Sequence, residues 1–123
     1  MMIAATDVLI DYLAGKGECD TIEQLLRHGA LGTTVISRFE LLSGARNRKQ
    51  LDRIVQLLGA VGSLELDDAS VDAGAEIRRS LERSGHAIGM ADCLIAGIVI
   101  CNGATLLTRN RKHFARVPGL KLA

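Results

Sequence analysis

Four polar residues, widely separated in the chain, lie at the ends of apolar segments. They are Asp7, Glu40, Asp92 and Asn110. The carboxyl ends of parallel strands meet at one edge of a sheet, so such residues are expected to lie close together. Clustered carboxylates repel one another, and a hard divalent cation such as Mg²⁺ or Mn²⁺ relieves that repulsion. The set predicts a cation site that could position phosphate oxygens and activate a bound water.

Basic residues surround this predicted acidic site. No Asp or Glu follows Asp92, whereas five Lys or Arg residues do, and a second basic group lies near the middle of the chain. The basic residues are Arg109, Arg111, Lys112, Arg116 and Lys121, with Arg46, Arg48, Lys49 and Arg53 in the second group. An acidic pocket with a basic rim suits a polyanionic substrate, which indicates phosphodiesters.

Helix capping offers another explanation for each polar residue. Asp7, Asp92 and Asn110 occur where helix N-caps are expected, and Glu40 could complete a capping box with Ser37. Capping accounts for each residue singly, but not for their common place at one sheet edge. The three histidines are interpreted as helix-end residues and given no catalytic role. They are His28, His86 and His113.

The apolar pattern predicts the elements that position these residues. Strands are predicted at 2–6, 31–36, 64–66, 104–108 and 119–122. Helices are predicted over 8–13, 21–28, 37–44, 69–84 and 91–101. A further helix is predicted to start at 47, and a short helical turn to follow 110. Asp20 and Glu23 are predicted to form a capping box, and Asp68 to cap the helix at 69–84. Alternating strands and helices predict an α/β fold, with a mainly parallel central sheet and helices on both faces. We expect a single domain spanning 1–123.

Composition narrows the possible functions. The 123 residues are 48% hydrophobic, which supports a buried core, and only 2% aromatic, which excludes a nucleic-acid surface built from stacked rings. The net charge of +1 identifies no partner. The chain lacks both a signal-peptide lead and an apolar run of about 20 residues, so a cytoplasmic protein is predicted. Cys93 and Cys101 are predicted to be buried thiols.

Four segments of the chain carry short motifs in a characteristic order and spacing. They are Ala5–Leu13, Ser37–Arg46, Ala91–Ala96 and Leu107–Leu120. Together they resemble the motifs of PIN-domain ribonucleases, specifically of VapC toxins. The resemblance implies a PIN-like three-layer sandwich and an endoribonuclease that uses Mg²⁺ (or Mn²⁺) to cut structured cellular RNA of the tRNA or rRNA class. It also implies a homodimer and neutralisation by a VapB-type antitoxin.

The resemblance assigns roles to individual positions. Glu40 and Asp92 correspond to metal-site carboxylates. Asn110 corresponds to a residue that orients water or a ligand in the outer shell of the metal. Asp7 lies at a more variable position beside the metal site. Thr6 and Thr108 would support the site through hydroxyl hydrogen bonds. The basic residues expected to contact RNA are Arg46, Arg109, Arg111 and Lys112.

One position departs from the family pattern. The family's first metal-binding Asp falls on Ala5, and a methyl group cannot coordinate a cation. We interpret the chain as a catalytically impaired VapC, either an engineered Asp-to-Ala variant or a naturally degenerate copy. The intact motifs elsewhere favour the engineered origin. Losing one charge from the cluster should leave the fold intact.

The sequence leaves two other functions open. A receiver-type signalling domain has a similar length and class, but Asp7 lacks the acidic neighbour that such a domain needs. A module that binds RNA or protein without cutting it is the second alternative. Apolar residues of the first and third helices are candidates for a groove that binds an antitoxin helix. Packing of the same residues into the core is an equally good interpretation. Its candidate residues are Leu9, Tyr12, Leu13, Leu41, Leu42 and the segment 46–49.

Overall fold

The structure, a computed structural model, describes all of residues 1–123 and contains five strands and seven helices. The strands are β1 (Met2–Ala4), β2 (Leu31–Thr34), β3 (Gly62–Leu64), β4 (Thr105–Leu107) and β5 (Lys121–Leu122). The helices are α1 (Thr6–Leu13), α2 (Cys19–Arg27), α3 (Val35–Ser43), α4 (Arg48–Ala60), α5 (Asp68–Arg83), α6 (Met90–Cys101) and α7 (Arg111–Phe114).

All five strands pair in parallel, in the order β3-β2-β1-β4-β5. In the central strand β1, Ile3 lies opposite Gly32 of β2 and Leu106 of β4. The pairing with β4 extends one residue beyond β1, because the Ala5 amide donates to the Leu107 carbonyl at 2.9 Å. The predicted α/β fold is confirmed, and the sheet is entirely rather than mainly parallel.

Helices cover both faces of the sheet, as predicted. On one face, Ile3 and Ala5 pack with Ile95 and Val99 of α6. On the other face, Ala4 packs in a cluster of apolar residues from α1, α2, α3 and α4. The alternation along β1 therefore directs neighbouring side chains into different helical layers.

Several predicted boundaries are wrong by a few residues. The third strand lies at Gly62–Leu64 rather than 64–66, because it pairs with Gly32–Thr34 of β2. The cap of α5 is Asp67, which accepts from the Ser70 amide at 2.9 Å, and not Asp68. The expected capping box of α2 is also wrong, since Glu18 is the N-cap and makes no side-chain capping bond. Asn47 does cap α4, accepting from the Gln50 amide.

The apolar helix α6 is central but short. It has 12 residues, and no helix of the chain has the length and hydropathy needed to cross a membrane. Its contact with α5 is very close at Gly97, where an added Cβ would lie 2.5 Å from the Ser70 carbonyl oxygen and 2.8 Å from the Gly74 amide nitrogen. Any side chain here would push α6, and the residues that it carries, away from α5.

Replacing Gly97 with alanine is therefore expected to destabilise the protein. The substitution improves helix propensity by about 1 kcal/mol, but the clash with backbone atoms should lower the free energy of unfolding by a net ~1–3 kcal/mol. Urea unfolding measures this difference. Gly59→Ala is the matched control, because its added methyl group meets nothing within 4 Å and should stabilise α4 slightly. A Gly97→Ala protein as stable as the parent would contradict the close packing.

Candidate functional site

A cavity of about 300 Å³ opens at the carboxyl ends of β1 and β4. It brings together residues from four separate segments of the chain. Its polar lining includes Thr6, Asp7, Glu40, Asp92, Thr108, Arg109 and Asn110, and Ala5 lies among them. The strand order reverses direction between β1 and β4, which is where parallel α/β sheets form binding crevices. We refer to this cavity as the acidic pocket.

Glu40 enters the acidic pocket from the second turn of α3. The N-cap of α3 is Thr34, whose hydroxyl accepts from the Ser37 amide at 3.2 Å, so the predicted Ser37–Glu40 capping box is wrong. Thr6 Oγ1 lies 2.7 Å from Glu40 Oε1 and 2.8 Å from Ser37 Oγ. One hydroxyl hydrogen cannot serve both, and the carboxylate is the stronger acceptor. Thr6 therefore donates to Glu40, and the buried Ser37, which the sequence analysis placed only in a cap, donates to Thr6.

Asp92 is contributed by the first turn of α6. The N-cap of this helix is Gly89, so the capping interpretation of Asp92 is wrong. Its carboxylate lies near the positive end of the helix dipole, which favours a negative charge. Asp92 Oδ2 also lies 3.0 Å from Nε2 of His113. His113 is a site residue that sequence analysis missed, because its position near a helix end explained it without reference to Asp92.

Asp7 makes its hydrogen bonds to the loop after β4. Its carboxylate accepts from the Thr108 hydroxyl at 3.2 Å, the Arg109 amide at 3.0 Å and the Val8 amide at 2.8 Å. The Thr108 oxygen in turn accepts from the Asn110 amide at 3.0 Å. Asp7 is not the N-cap of α1, a position that Ala5 occupies. It acts as a tether that holds the Asn110 loop against α1.

The side chains present do not form a complete metal site. Nowhere in the chain do three His, Cys, Asp or Glu residues approach closely enough to hold an ion. Glu40 and Asp92 line the pocket, Asp7 is engaged by the β4 loop, and Ala5 contributes only a methyl group. Ala5 occupies the position where the resemblance in the sequence predicts a metal-binding aspartate.

The thiol next to Asp92 is not a candidate nucleophile. Cys93 is 2% exposed, as predicted, and burial raises the pKa of its thiol, an effect that the Arg78 charge only partly offsets. A protonated, buried thiol is inert. Cys101, by contrast, is exposed at the end of α6, so its predicted burial is wrong.

The basic residues fall into two groups around the acidic pocket. Arg109 lines the pocket, with its guanidinium 3.4 Å from the Asp11 carboxylate. Arg111 and Lys112 are exposed on α7, directly after Asn110. Arg46 lies apart from these residues, in a neighbouring groove. The positive charge is thus distributed along a surface that extends on both sides of the pocket.

That groove, of about 380 Å³, lies between α1, α3 and α4. Its apolar wall includes Ile10, Leu13, Leu41 and Ile54, and its polar wall includes Glu40, Arg46, Gln50 and Arg53. Ile10 and Glu40 also line the acidic pocket, so the two cavities adjoin. We refer to it as the α1–α4 groove.

Only part of the predicted groove set lines it. Leu13, Leu41 and Arg46 do so, whereas Leu9 is fully buried in the core. Tyr12 and Leu42 are partly buried and pack against the same core cluster. Ile10 was not predicted, although it is 52% exposed.

Comparison with known proteins gives consistent matches. The PIN domain family profile matches residues 3–120. Ribonuclease VapC2 of Rickettsia felis is 33% identical over 84% of this chain and 80% of its own length. The tRNA(fMet)-specific endonuclease VapC of Shigella flexneri is 29% identical over 78% of this chain and 76% of its own. Among solved structures, VapBC2 of Rickettsia felis bound to a promoter DNA fragment superposes with a TM-score of 0.86 at 25% identity, covering 99% of this chain and 96% of that one.

If Asp7 is a tether, its loss should weaken the fold even without any metal. In the presence of EDTA, Asp7→Ala is expected to lower the free energy of unfolding by ~1.5–3 kcal/mol, because it removes hydrogen bonds to a charged group. Asp72 lies at an exposed position of α5 and has no hydrogen-bond or ion-pair partner. Asp72→Ala should therefore change the free energy of unfolding by less than about 0.5 kcal/mol. Thermal or urea unfolding of both variants measures the difference. Equal stability of the two would show that Asp7 has no tethering role.

Proposed function

Because the chain belongs to the PIN-domain family, in its VapC branch, we propose that it has the architecture of an endoribonuclease toxin that cuts structured cellular RNA in the cytoplasm. The observation that carries the proposal is the meeting of Glu40, Asp92 and Asn110 in one pocket around Ala5. These residues come from α3, α6 and the loop after β4, which lie far apart in the chain.

The charges of the acidic pocket support phosphodiester chemistry only if a cation is present. Glu40 and Asp92 would repel an RNA phosphate by themselves. Oxygen donors of this kind are the ligands of Mg²⁺ and Mn²⁺, which we propose as the cofactor of the pocket once position 5 carries an aspartate. Within the chain, Thr6 holds Glu40, and Asp7 with Thr108 holds the loop that presents Asn110.

We propose that Ala5 leaves this chain catalytically impaired. Ala5 is 4% exposed and lies between β1 and α1, where its amide donates to the Leu107 carbonyl of β4. An aspartate here would add a third carboxylate beside Glu40 and Asp92. Its absence removes repulsion as well as a ligand, so the impaired chain keeps its fold.

The substrate proposal rests on the basic surface and on the relatives. Arg109, Arg111 and Lys112 lie beside the pocket and could contact backbone phosphates on one side, with Arg46 on the other. The chain has too few aromatic residues to bind single strands by stacking, which favours a folded RNA recognised by shape and phosphate contacts. The name of the Shigella flexneri relative supports the tRNA class.

We further propose that a VapB-type antitoxin binds the α1–α4 groove. The groove combines apolar side chains with Arg46 and Arg53, which suits a peptide carrying apolar and acidic residues. The structural similarity to the VapBC2 complex supports such a partner. The family resemblance also supports a homodimer, and Phe39, 70% exposed on α3, offers an apolar surface for it.

One other function has support from a specific observation. The basic residues Arg109, Arg111 and Lys112, beside a pocket with no group of three ligands for a metal, favour a module that binds RNA or an antitoxin without cutting. Membership of the PIN-domain family, in contrast, excludes the receiver-type alternative.

Restoring the missing carboxylate tests the nuclease proposal. We expect Ala5→Asp to cut tRNA or total RNA in Mg²⁺ or Mn²⁺ at least about 10²-fold faster than the Ala5 chain, because a direct ligand should matter more than the 10–100-fold typical of outer-shell groups. Gel analysis of the RNA fragments, with EDTA as a control, measures the rate.

Ala5→Asn is the matched control, since it adds a side chain of the same size without the charge. Adding Glu40→Gln or Asp92→Asn to the restored chain should abolish cleavage. RNA binding by every variant with no cleavage by any would favour the binding module.

A second experiment tests the groove. Ile10→Glu is expected to weaken binding of the co-expressed VapB-type antitoxin at least tenfold, because it puts a charge in the apolar wall. Val55→Glu, on α4 outside the groove, is the control with similar exposure, 54% against 52% for Ile10. Calorimetric titration measures both affinities. Equal weakening by the two variants would place the antitoxin elsewhere.

A further inference from the structure

His113 has a specific hydrogen bond to a pocket carboxylate. Its Nε2 lies 3.0 Å from Oδ2 of Asp92, and the two residues are 21 positions apart in the chain. An ionised carboxylate only accepts hydrogen bonds, so Nε2 carries the hydrogen and donates it. The sequence resemblance gave His113 no role, and the pocket lining does not include it.

Because of this bond, the two oxygens of the Asp92 carboxylate have different surroundings. Oδ2 is bonded to His113, whereas Oδ1 has no hydrogen-bond partner within the protein. The Asp92 side chain is 34% exposed and lines the acidic pocket. A rotation about the Asp92 side-chain bonds would break the contact with His113.

The His113 ring is itself held in place. It lies on the short helix α7, next to Phe114, which is 3% exposed and lines the acidic pocket. The two rings meet edge to face, with centroids 5.5 Å apart and an angle of 86° between their planes. This arrangement is favourable for aromatic rings, and it restricts the orientation of the imidazole.

Glu40 has a comparable partner on the other side of the pocket. Its Oε1 accepts from the Thr6 hydroxyl, just as Asp92 Oδ2 accepts from His113. Glu40 and Asp92 are thus each oriented by one donor from a different part of the chain. Outer donors of this kind are a common means of fixing the ligands of a metal site.

We propose that His113 is a positioning residue for Asp92: it holds Oδ2 so that Oδ1 stays directed into the acidic pocket. The inference rests on the proposed function, because the purpose of that orientation is to present an oxygen ligand. It assigns His113 no contact with RNA and no proton transfer.

Stabilisation of α7 is the competing explanation. However, His113 and Asp92 are 25% and 34% exposed, and partly exposed pairs contribute little to stability. The burial of Phe114 and Val117, each 3% exposed, already anchors the segment that contains α7. The contact is better suited to restricting one side chain than to holding a helix.

The first test uses the chain as it is and measures the Asp92 rotamer. Three-bond NMR couplings about the Asp92 Cα–Cβ bond are expected to show one rotamer in the parent chain and averaging in His113→Leu. His113→Gln should restore the single rotamer, since its amide Nε2 lies the same number of bonds from the backbone. His86→Leu, at an exposed position, is the control. Unchanged couplings in a folded His113→Leu chain would overturn the proposal.

The second test measures metal affinity in the Ala5→Asp background. Calorimetric titration with Mn²⁺ is expected to show 10–100-fold weaker binding for His113→Leu and recovery for His113→Gln. Averaged couplings with unchanged Mn²⁺ affinity would overturn the positioning role. If Ala5→Asp itself binds no Mn²⁺, the proposed metal-dependent function fails, and the rotamer measurement alone decides for or against the His113 contact.

Discussion

The site depends on the central place of β1 in an all-parallel sheet. With β2 on one side and β4 on the other, the end of β1 is surrounded by the segments that follow its neighbours. The main-chain bond from Ala5 to Leu107 fixes how closely the Asn110 loop approaches. Glu40 and Asp92 then enter from helices on the two faces of the sheet. If β1 lay at an edge, this meeting of four segments could not occur.

The acidic residues of the pocket each have their own partner within the chain. Thr6 donates to Glu40, His113 to Asp92, and the loop after β4 to Asp7. Each of these carboxylates accepts at least one hydrogen bond without any ion, which is compatible with an ordered fold. The architecture and the completeness of the metal site are therefore separable properties.

The sequence was sufficient for the fold class and the family, because apolar runs and four ordered motifs extend over most of the chain. It located the start of α4 at Asn47 correctly but chose Ser37 over Thr34 and Asp68 over Asp67 as caps, since neighbouring polar residues give nearly the same capping signal. The roles of Asp7 and His113 could not be predicted. Their partners lie 101 and 21 residues away, and only the tertiary structure shows those contacts.

The pairing of β1 with β4 has a consequence for how the protein is made. Asp7 and Thr108 are 101 residues apart, so β1 leaves the ribosome well before the segment that covers one of its edges. Contacts of such long range are slow to form, because a large loop must close first. The pocket between these strands therefore cannot be complete before the residues that follow β4 have been made.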